Sequence, residues 1–244
     1  MLSSENGQFA GYQYIKHKRG AASEPCVPAV RYLFAVIRRV EYCHTMNSQF
    51  LSRDQLEEQG FASLGEDVLL HSSCVIAGAG RISIGSHVRI DPFCIITMSG
   101  HLQIGSRVHI SGHVAILGRG RIEIGDFSAI SHGVKILSSS DSFTSAGIAG
   151  PMVPEECRKV ISEPVMIGRH VVLGVNTVLL PGAIIGEGAT VGALSLVKTS
   201  IEPWTVNAGV PCRVIQKRER SGTLECERLL VEIEKRKNVP NYFP

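Results

Sequence analysis

Two carboxylates and three histidines are the side chains in this sequence best suited to moving a proton. Asp141 stands in Ser138-Ser139-Ser140-Asp141-Ser142, where a regular stretch of chain breaks off, and Glu163 stands where regularity returns. A carboxylate can orient an amine and receive the proton that it sheds. His132 lies just before the break beside Ser131, and His109 and His113 lie one repeat earlier. Imidazole titrates near neutrality, which makes histidine the ordinary base for a hydroxyl nucleophile. Each group also has a plain structural reading: Asp141 as a turn cap among its serines, Glu163 as a solvated loop acid, the histidines as surface residues. The seven cysteines are scattered with no C-x-x-C pair. No Cys or Ser sits beside a base in a recognisable nucleophile motif, so direct attack without a covalent enzyme intermediate is expected.

The frame that must position these groups is repetitive. From Ile167 the chain cuts into sixes: Ile167-Gly168-Arg169-His170-Val171-Val172, Leu173-Gly174-Val175-Asn176-Thr177-Val178, Leu179-Leu180-Pro181-Gly182-Ala183-Ile184, and onward to Leu196. An aliphatic residue opens every block. A period of six fits neither a helix nor a long alternating strand. It fits short extended rungs joined by tight turns, three rungs to a coil of about eighteen residues, with parallel strands stacked from coil to coil. The glycines beside the aliphatic positions are expected at corners that need unusual φ values.

Earlier anchors recur at a spacing of twenty: Ile84-Gly85, Ile104-Gly105 and Ile124-Gly125. The two extra residues fall near Ala79-Gly80-Arg81, Ser99-Gly100-His101 and Gly118-Arg119-Gly120-Arg121, which predicts small bulges stacked at one corner. Ile90, Ile110 and Ile130 should then share an interior column. The coils are expected over residues 64–215, interrupted by a non-repetitive loop at 138–160 and resuming at Ile161. Loops of that length are more often functional than decorative. Residues 46–63 read as a helical lead-in with Ser52 as N-cap and Gln55 at the capping-box position. Residues 216–244 form a tail whose Thr223 to Lys237 should be an amphipathic helix capping the end of the coils. Residues 1–45 follow no repeat and read as a disordered extension; Met46 as the native start and a weak membrane-surface contact are two further readings.

Composition narrows the partners. A formal charge of +3 over 244 residues, with 6% aromatics, offers neither the charge nor the stacking platforms of a nucleic-acid binder. The longest apolar run near the N-terminus, Tyr32 to Ile37, is too short for stable membrane insertion. The scattered thiols suit a reducing, cytoplasmic setting.

The repeats, together with Ala208-Gly209-Val210-Pro211-Cys212-Arg213-Val214-Ile215, resemble the hexapeptide-repeat acyltransferases, whose acetyl-CoA-dependent members close on A-G-x-P-x-[KR]-x-I. The resemblance implies an all-β fold, a left-handed parallel β-helix, assembled as a homotrimer with active sites between subunits. It implies acetyl-CoA or a related acyl-CoA as co-substrate and no metal. Gly174, Gly192, Ala193 and Ala208 would allow an extended pantetheine arm to approach closely. Lys198, Arg213, Lys217 and Arg218 fall where the resembling enzymes hold coenzyme A phosphates. Ser131, His109 and His113 would line the acceptor side.

One departure bears on the acceptor. The galactoside and xenobiotic acetyltransferase branches carry a histidine near the start of the long loop, where this chain has Ser138 to Ser142. The loop resembles instead that of bacterial enzymes acylating dTDP-4-amino-4,6-dideoxy sugars, through Ser140-Asp141 and Pro151-Met152-Val153-Pro154-Glu155. N-acylation of a nucleotide-linked amino sugar is therefore expected, in surface-glycan synthesis, with Asp141 as base or amine anchor and Glu163 as a second carboxylate. With His132 as base, O-acylation of a sugar or polysaccharide hydroxyl is the alternative. A non-catalytic assembly subunit is another, because repeats alone do not fix function. The γ-class carbonic anhydrases share the fold, but their paired ligand histidines are five apart, whereas His109 and His113 are four apart, so zinc is not expected.

Overall fold

The computed structural model describes residues 49–144 and 147–237. The extension at 1–45 and the start at Met46 lie outside them.

The six-residue rhythm closes into a parallel β-helix of about seven turns, consistent with the left hand of the hexapeptide family. It has three faces. Face I stacks Ser63–Leu64, Ile82–Ile84, Leu102–Ile104, Ile122–Ile124, Val165–Ile167 and Ile184–Ile185. Face II stacks Leu69–Leu70, Arg89–Ile90, His109–Ile110, Ala129–Ile130, Val172–Leu173, Thr190–Val191 and Thr205–Ala208. Face III stacks Val75–Ala77, Ile95–Met98, Ala115–Gly118, Lys135–Leu137, Val178–Leu179 and Leu196–Val197. Register follows the two spacings read from sequence: Ile82 pairs with Leu102 and Leu102 with Ile122, twenty apart, whereas Met166 pairs with Ile184 and Val178 with Leu196, eighteen apart. The extra pair of residues in the early coils sits at the corner between faces III and I, where Gly100 packs against Arg119 and Gly120, and Gly120 against Glu163.

Alternation puts one side of every rung inside. Ile90, Ile110 and Ile130 form the expected column, none more than 1% exposed, continued by Leu173 and Val191 and ended by the buried Asn207. Each fully buried isoleucine contributes about 1.5–3 kcal/mol. Asn207 is tolerated because its Nδ2 donates to Thr205 Oγ1 at 2.9 Å and to the Thr190 carbonyl at 3.3 Å.

The glycines beside the aliphatic positions have a different reason from the expected one. Left-handed φ at the corners is carried mainly by other residues: Asp67, His87, Arg107, Phe127, His170 and Trp204 at one corner, Phe93, His113, Asn176 and Leu194 at another. Gly85, Gly125 and Gly168 are not in that region. A Cβ on Gly85 would lie 2.7 Å from Gly105 C, one on Gly125 2.7 Å from Arg169 N, and one on Gly168 2.7 Å from Glu187 N. Close stacking of coils, rather than turn geometry, selects glycine there.

Among the described residues two α-helices flank the coils. Helix α1 (Arg53–Glu58) starts at Ser52 with both capping-box bonds to Gln55 formed, and buries Leu56. Helix α2 (Ser221–Lys237) does not cap the end of the coils. Glu227 meets His170 at 2.8 Å and also Arg169, while Glu234 meets Arg107. Arg107, Phe127 and His170 occupy successive coils at the corner between faces I and II, so α2 runs along that corner. Phe127 stacks on His170 with centroids 5.0 Å apart, and the Arg169 guanidinium lies 5.5 Å from the Phe127 ring centroid. The open edge of face II is closed instead by Arg213–Lys217, antiparallel to Thr205–Ala208. Burial alone would raise the Glu227 carboxyl, but His170 and Arg169 outweigh it and hold the group below the usual range. Glu227→Ala should release α2 at a cost of about 1–2 kcal/mol, read as early proteolytic loss of the C-terminal segment with the coil core intact.

Candidate active site

Equivalent positions of successive coils come to one line, and this gathers most of the candidate residues on the corner between faces II and III. Ser131 and His132, then Gly174, then Gly192 and Ala193, and then Ala208 follow one another up that edge, with His113 one coil below. His113 and His132 are in edge contact, centroids 4.9 Å apart, and Phe93 lies 5.1 Å beneath His113. Gly112 leaves room for the His132 ring, whose Cε1 would be 3.2 Å from an added Cβ. Lys135 Nζ is tethered beside them by the Gly133 carbonyl at 2.7 Å and the His113 carbonyl at 3.1 Å. Both histidines are exposed, so the corner presents two imidazoles and a cation to solvent.

His109 stands apart. It projects from face II, and its Nε2 lies 2.8 Å from Asp91, which also accepts from Arg89 at 2.7 Å. Burial alone would raise the Asp91 carboxyl, but these two partners hold it lowered. His109 therefore belongs to a face cluster, not to the corner with His113. Among the described residues no three His, Cys, Asp or Glu side chains converge as metal ligands.

The interrupting stretch is an arm rather than a structureless loop. It leaves and returns as an antiparallel ribbon, Ser139–Asp141 against Val160–Ser162, so the coils resume at Val165 and not at Ile161. At the end of this ribbon Asp141 is held on both oxygens: Arg158 Nη2 donates to Oδ1 at 2.9 Å and the Gly150 amide to Oδ2 at 3.0 Å. The Arg158 guanidinium first, then the Gly150 amide, keep this carboxyl below the usual aspartate range. Arg158 is 10% exposed and its Nη1 is 3.7 Å from Glu155, which pairs with Arg119 at 2.5 Å. A four-membered chain of alternating charge thus ties the arm to the corner between faces III and I. A depressed pKa makes Asp141 a reliable acceptor of hydrogen bonds and a weak base, which favours the anchoring role over the base.

Glu163 does not join it. The Glu163 amide bonds to the Ser138 carbonyl at 3.0 Å, three rungs along the ribbon from the Asp141–Val160 pair. Alternation then sends the two carboxylates to opposite sides of the ribbon. Glu163 is exposed and lies across Gly182. His132 is not beside Asp141 either. One rung of face III separates them, on the order of 15 Å at ~3.3 Å per residue, so a single chain does not assemble Asp141, His132 and Glu163 into one centre.

The expected cofactor residues divide similarly. A Cβ on Gly174 would be 2.5 Å from Ala193 N, and one on Gly192 3.0 Å from Ala208 Cβ; both glycines are accounted for by the coil above. Arg213 pairs in register with Ala208, at the corner, but Lys217 pairs with Thr205 at the far side of face II, and Lys198 follows the last strand of face III. All three are exposed. Arg218 is committed to structure: it donates to the His170 and Gly188 carbonyls at 2.9 and 2.8 Å and lies over Trp204. Sequence reading missed Arg158 and Arg119. Arg158 lies inside the long loop, three residues from Glu155, which was a signal; Arg119 is 36 residues from Glu155 in sequence and offered none.

A parallel β-helix of six-residue rungs, broken once by an arm carrying a fixed carboxylate, defines the class. The model of the bacterial transferase hexapeptide (six repeats) matches residues 164–199. AntD, an N-acyltransferase from Bacillus cereus solved with dTDP and 3-hydroxybutyryl-CoA, is 36% identical, with a TM-score of 0.73, covering 77% of this chain and 98% of that one. The chain belongs to the hexapeptide-repeat acyltransferase family. Variants of AntD, solved with dTDP and coenzyme A, are altered at a serine and at an aspartate ten positions further on. The dTDP-4-amino-4,6-dideoxy-D-glucose acyltransferase of Escherichia coli is 40% identical over 87 residues, 36% of this chain and 45% of its own length. The galactoside O-acetyltransferase of E. coli K12 is 43% identical over 72 residues, 28% of this chain and 36% of its own length. The match thus spans less than half the length of either curated relative. Among the described residues no helix is long and apolar enough to cross a membrane.

Proposed function

We propose that this chain transfers an acetyl or related acyl group from coenzyme A to the amino group of a nucleotide-linked sugar. The observation that carries the reading is Asp141, a carboxylate held ionised at the end of the arm's ribbon, near the start of the long loop where a hydroxyl-acylating relative would place a histidine. Ser131 and Asp141 are ten residues apart, the same separation as the serine and aspartate altered in AntD. In the proposed step the neutral amine attacks the thioester carbonyl, the N–C bond forms and the C–S bond breaks. The proton lost by nitrogen balances the thiolate, which leaves as coenzyme A thiol. Asp141 accepts a hydrogen bond from the amine, fixing its lone pair toward the carbonyl. Ser131 lies on the opposite corner, so a centre that uses both draws them from two chains, as in a homotrimer. Five thiols are free among the described residues, which supports work in the cytoplasm.

A second reading rests on the exposed His113–His132 pair: either imidazole suits a hydroxyl acceptor, as in the galactoside relative.

Binding separates both enzymatic readings from a scaffold role. Coenzyme A and dTDP at about 100 times their Kd should each raise stability by about 2.7 kcal/mol, read as a rise in Tm. No rise with saturating coenzyme A would leave the scaffold.

A further inference from the structure

We infer that Arg158 is a positioning residue that, by neutralising Asp141 from within the arm, keeps the bound acceptor amine in its uncharged, nucleophilic form. This rests on the amine-acylating reading and extends it to a residue that touches no substrate.

An isolated carboxylate beside an amine stabilises the ammonium ion, which has no lone pair and cannot attack a thioester. An anchor for an amine nucleophile must therefore accept its hydrogen bond without holding its proton. Asp141 meets that requirement through its neighbours. Arg158 is nine-tenths buried and donates to Oδ1, while the Gly150 amide occupies one site on Oδ2. Each oxygen retains a further acceptor site for an amine N–H. The charged groups facing Asp141 are Arg158, from the returning half of the arm, and Arg119, from the corner beneath; Glu155 lies between the two cations and partners both. The local sum over Asp141, Arg158, Glu155 and Arg119 is zero. An amine docked there meets a hydrogen-bond acceptor with little net attraction for its proton.

Arg158 also carries the one buried side-chain polar atom among the described residues that lacks a partner, its Nε. Leaving a guanidinium N–H unsatisfied opposes stability. A group placed only to hold the arm would gain from a bond there.

The test is the pH dependence of kcat, which reports ionisation in the bound complex, for wild type, Arg158→Met and Arg158→Lys with an amino-sugar nucleotide and acyl-CoA. A nearby opposite charge shifts a pKa by about 1–3 pH units, and partial exposure favours the low end. Arg158→Met should move the rising limb upward by about one pH unit. On the low-pH side of that limb kcat falls about tenfold, the loss is recovered at high pH, and KM for the amino sugar does not rise. Arg158→Lys keeps the charge and should restore the wild-type limb. A uniform loss at every pH, or a higher KM with the limb unmoved, would overturn the inference and leave Arg158 as a strut for the arm. Arg119→Met, altering an exposed side chain that also faces Asp141, should move the limb the same way by less; it decides the matter should Arg158→Met not fold. Wild type inactive on every amine would overturn the amine reading itself, whereas an active wild type whose limb ignores both cations overturns this inference alone.

Discussion

Asp141→Asn is expected to lower kcat on an amino-sugar acceptor by on the order of a hundredfold, what a misplaced reacting group costs. The substitution preserves shape and removes charge. An asparagine can accept from Arg158 or from the Gly150 amide, but its NH2 would face the other donor, so the side chain either turns or leaves one contact unmade. It also leaves the Arg158 guanidinium with only the more distant Glu155 carboxylate as counter-ion, and the amine without its acceptor. Coenzyme A affinity should be unchanged, because in the proposed step Asp141 holds the acceptor amine and not the coenzyme. An unchanged kcat would remove Asp141 from the mechanism. The arm's pH dependence follows from the same contacts. Asp141 is depressed in the fold, so its stabilising contribution is complete above the ordinary aspartate pKa of ~3.9 and is lost only as pH falls through the lower folded value.

Gly174→Ala is expected to destabilise the coils by about 2–3 kcal/mol, the upper range for overpacking, with little change in coenzyme A affinity per folded molecule. The added Cβ would lie 2.5 Å from Ala193 N and 2.8 Å from Gly192 C, both backbone atoms of the coil above that no rotamer can relieve. The entropy gained by removing a glycine from the unfolded chain, about 0.4–1 kcal/mol, offsets a minor part. Denaturant unfolding with and without coenzyme A separates the alternatives. A normal unfolding midpoint with weakened coenzyme A binding would return Gly174 to the ligand. By contrast Gly222 meets nothing within 4 Å in α2, so Gly222→Ala should stabilise by about 0.5–1 kcal/mol.

The architecture was legible because a β-helix writes its register into the sequence. Spacings of twenty and eighteen, the isoleucine columns and the stacked bulges all follow from one aliphatic residue per rung, and α1 was readable from a local cap. The corner carrying Ser131, His132, Gly174 and Gly192 followed from the same register. What sequence left open is what depends on contacts between distant segments. The pattern of α2 says that one face is buried but not that the face lies on Phe127 and His170. The arm's ribbon is built from Ser, Asp and Val positions too few to show a period. Glu163 and Asp141 look alike as acids flanking a loop, and only strand pairing shows that they face apart. The partnership of Asp141 with Arg158 joins residues seventeen apart across residues with no periodic signal.

The most direct measurement is release of coenzyme A thiol from acyl-CoA with paired nucleotide-linked sugars that differ only in carrying an amine or a hydroxyl at the reacting carbon. Turnover confined to the amines, abolished or strongly reduced in Asp141→Asn, is the predicted result. Turnover with the hydroxyl sugars that survives Asp141→Asn and is lost in His132→Ala would contradict it and place the chemistry on the histidine corner.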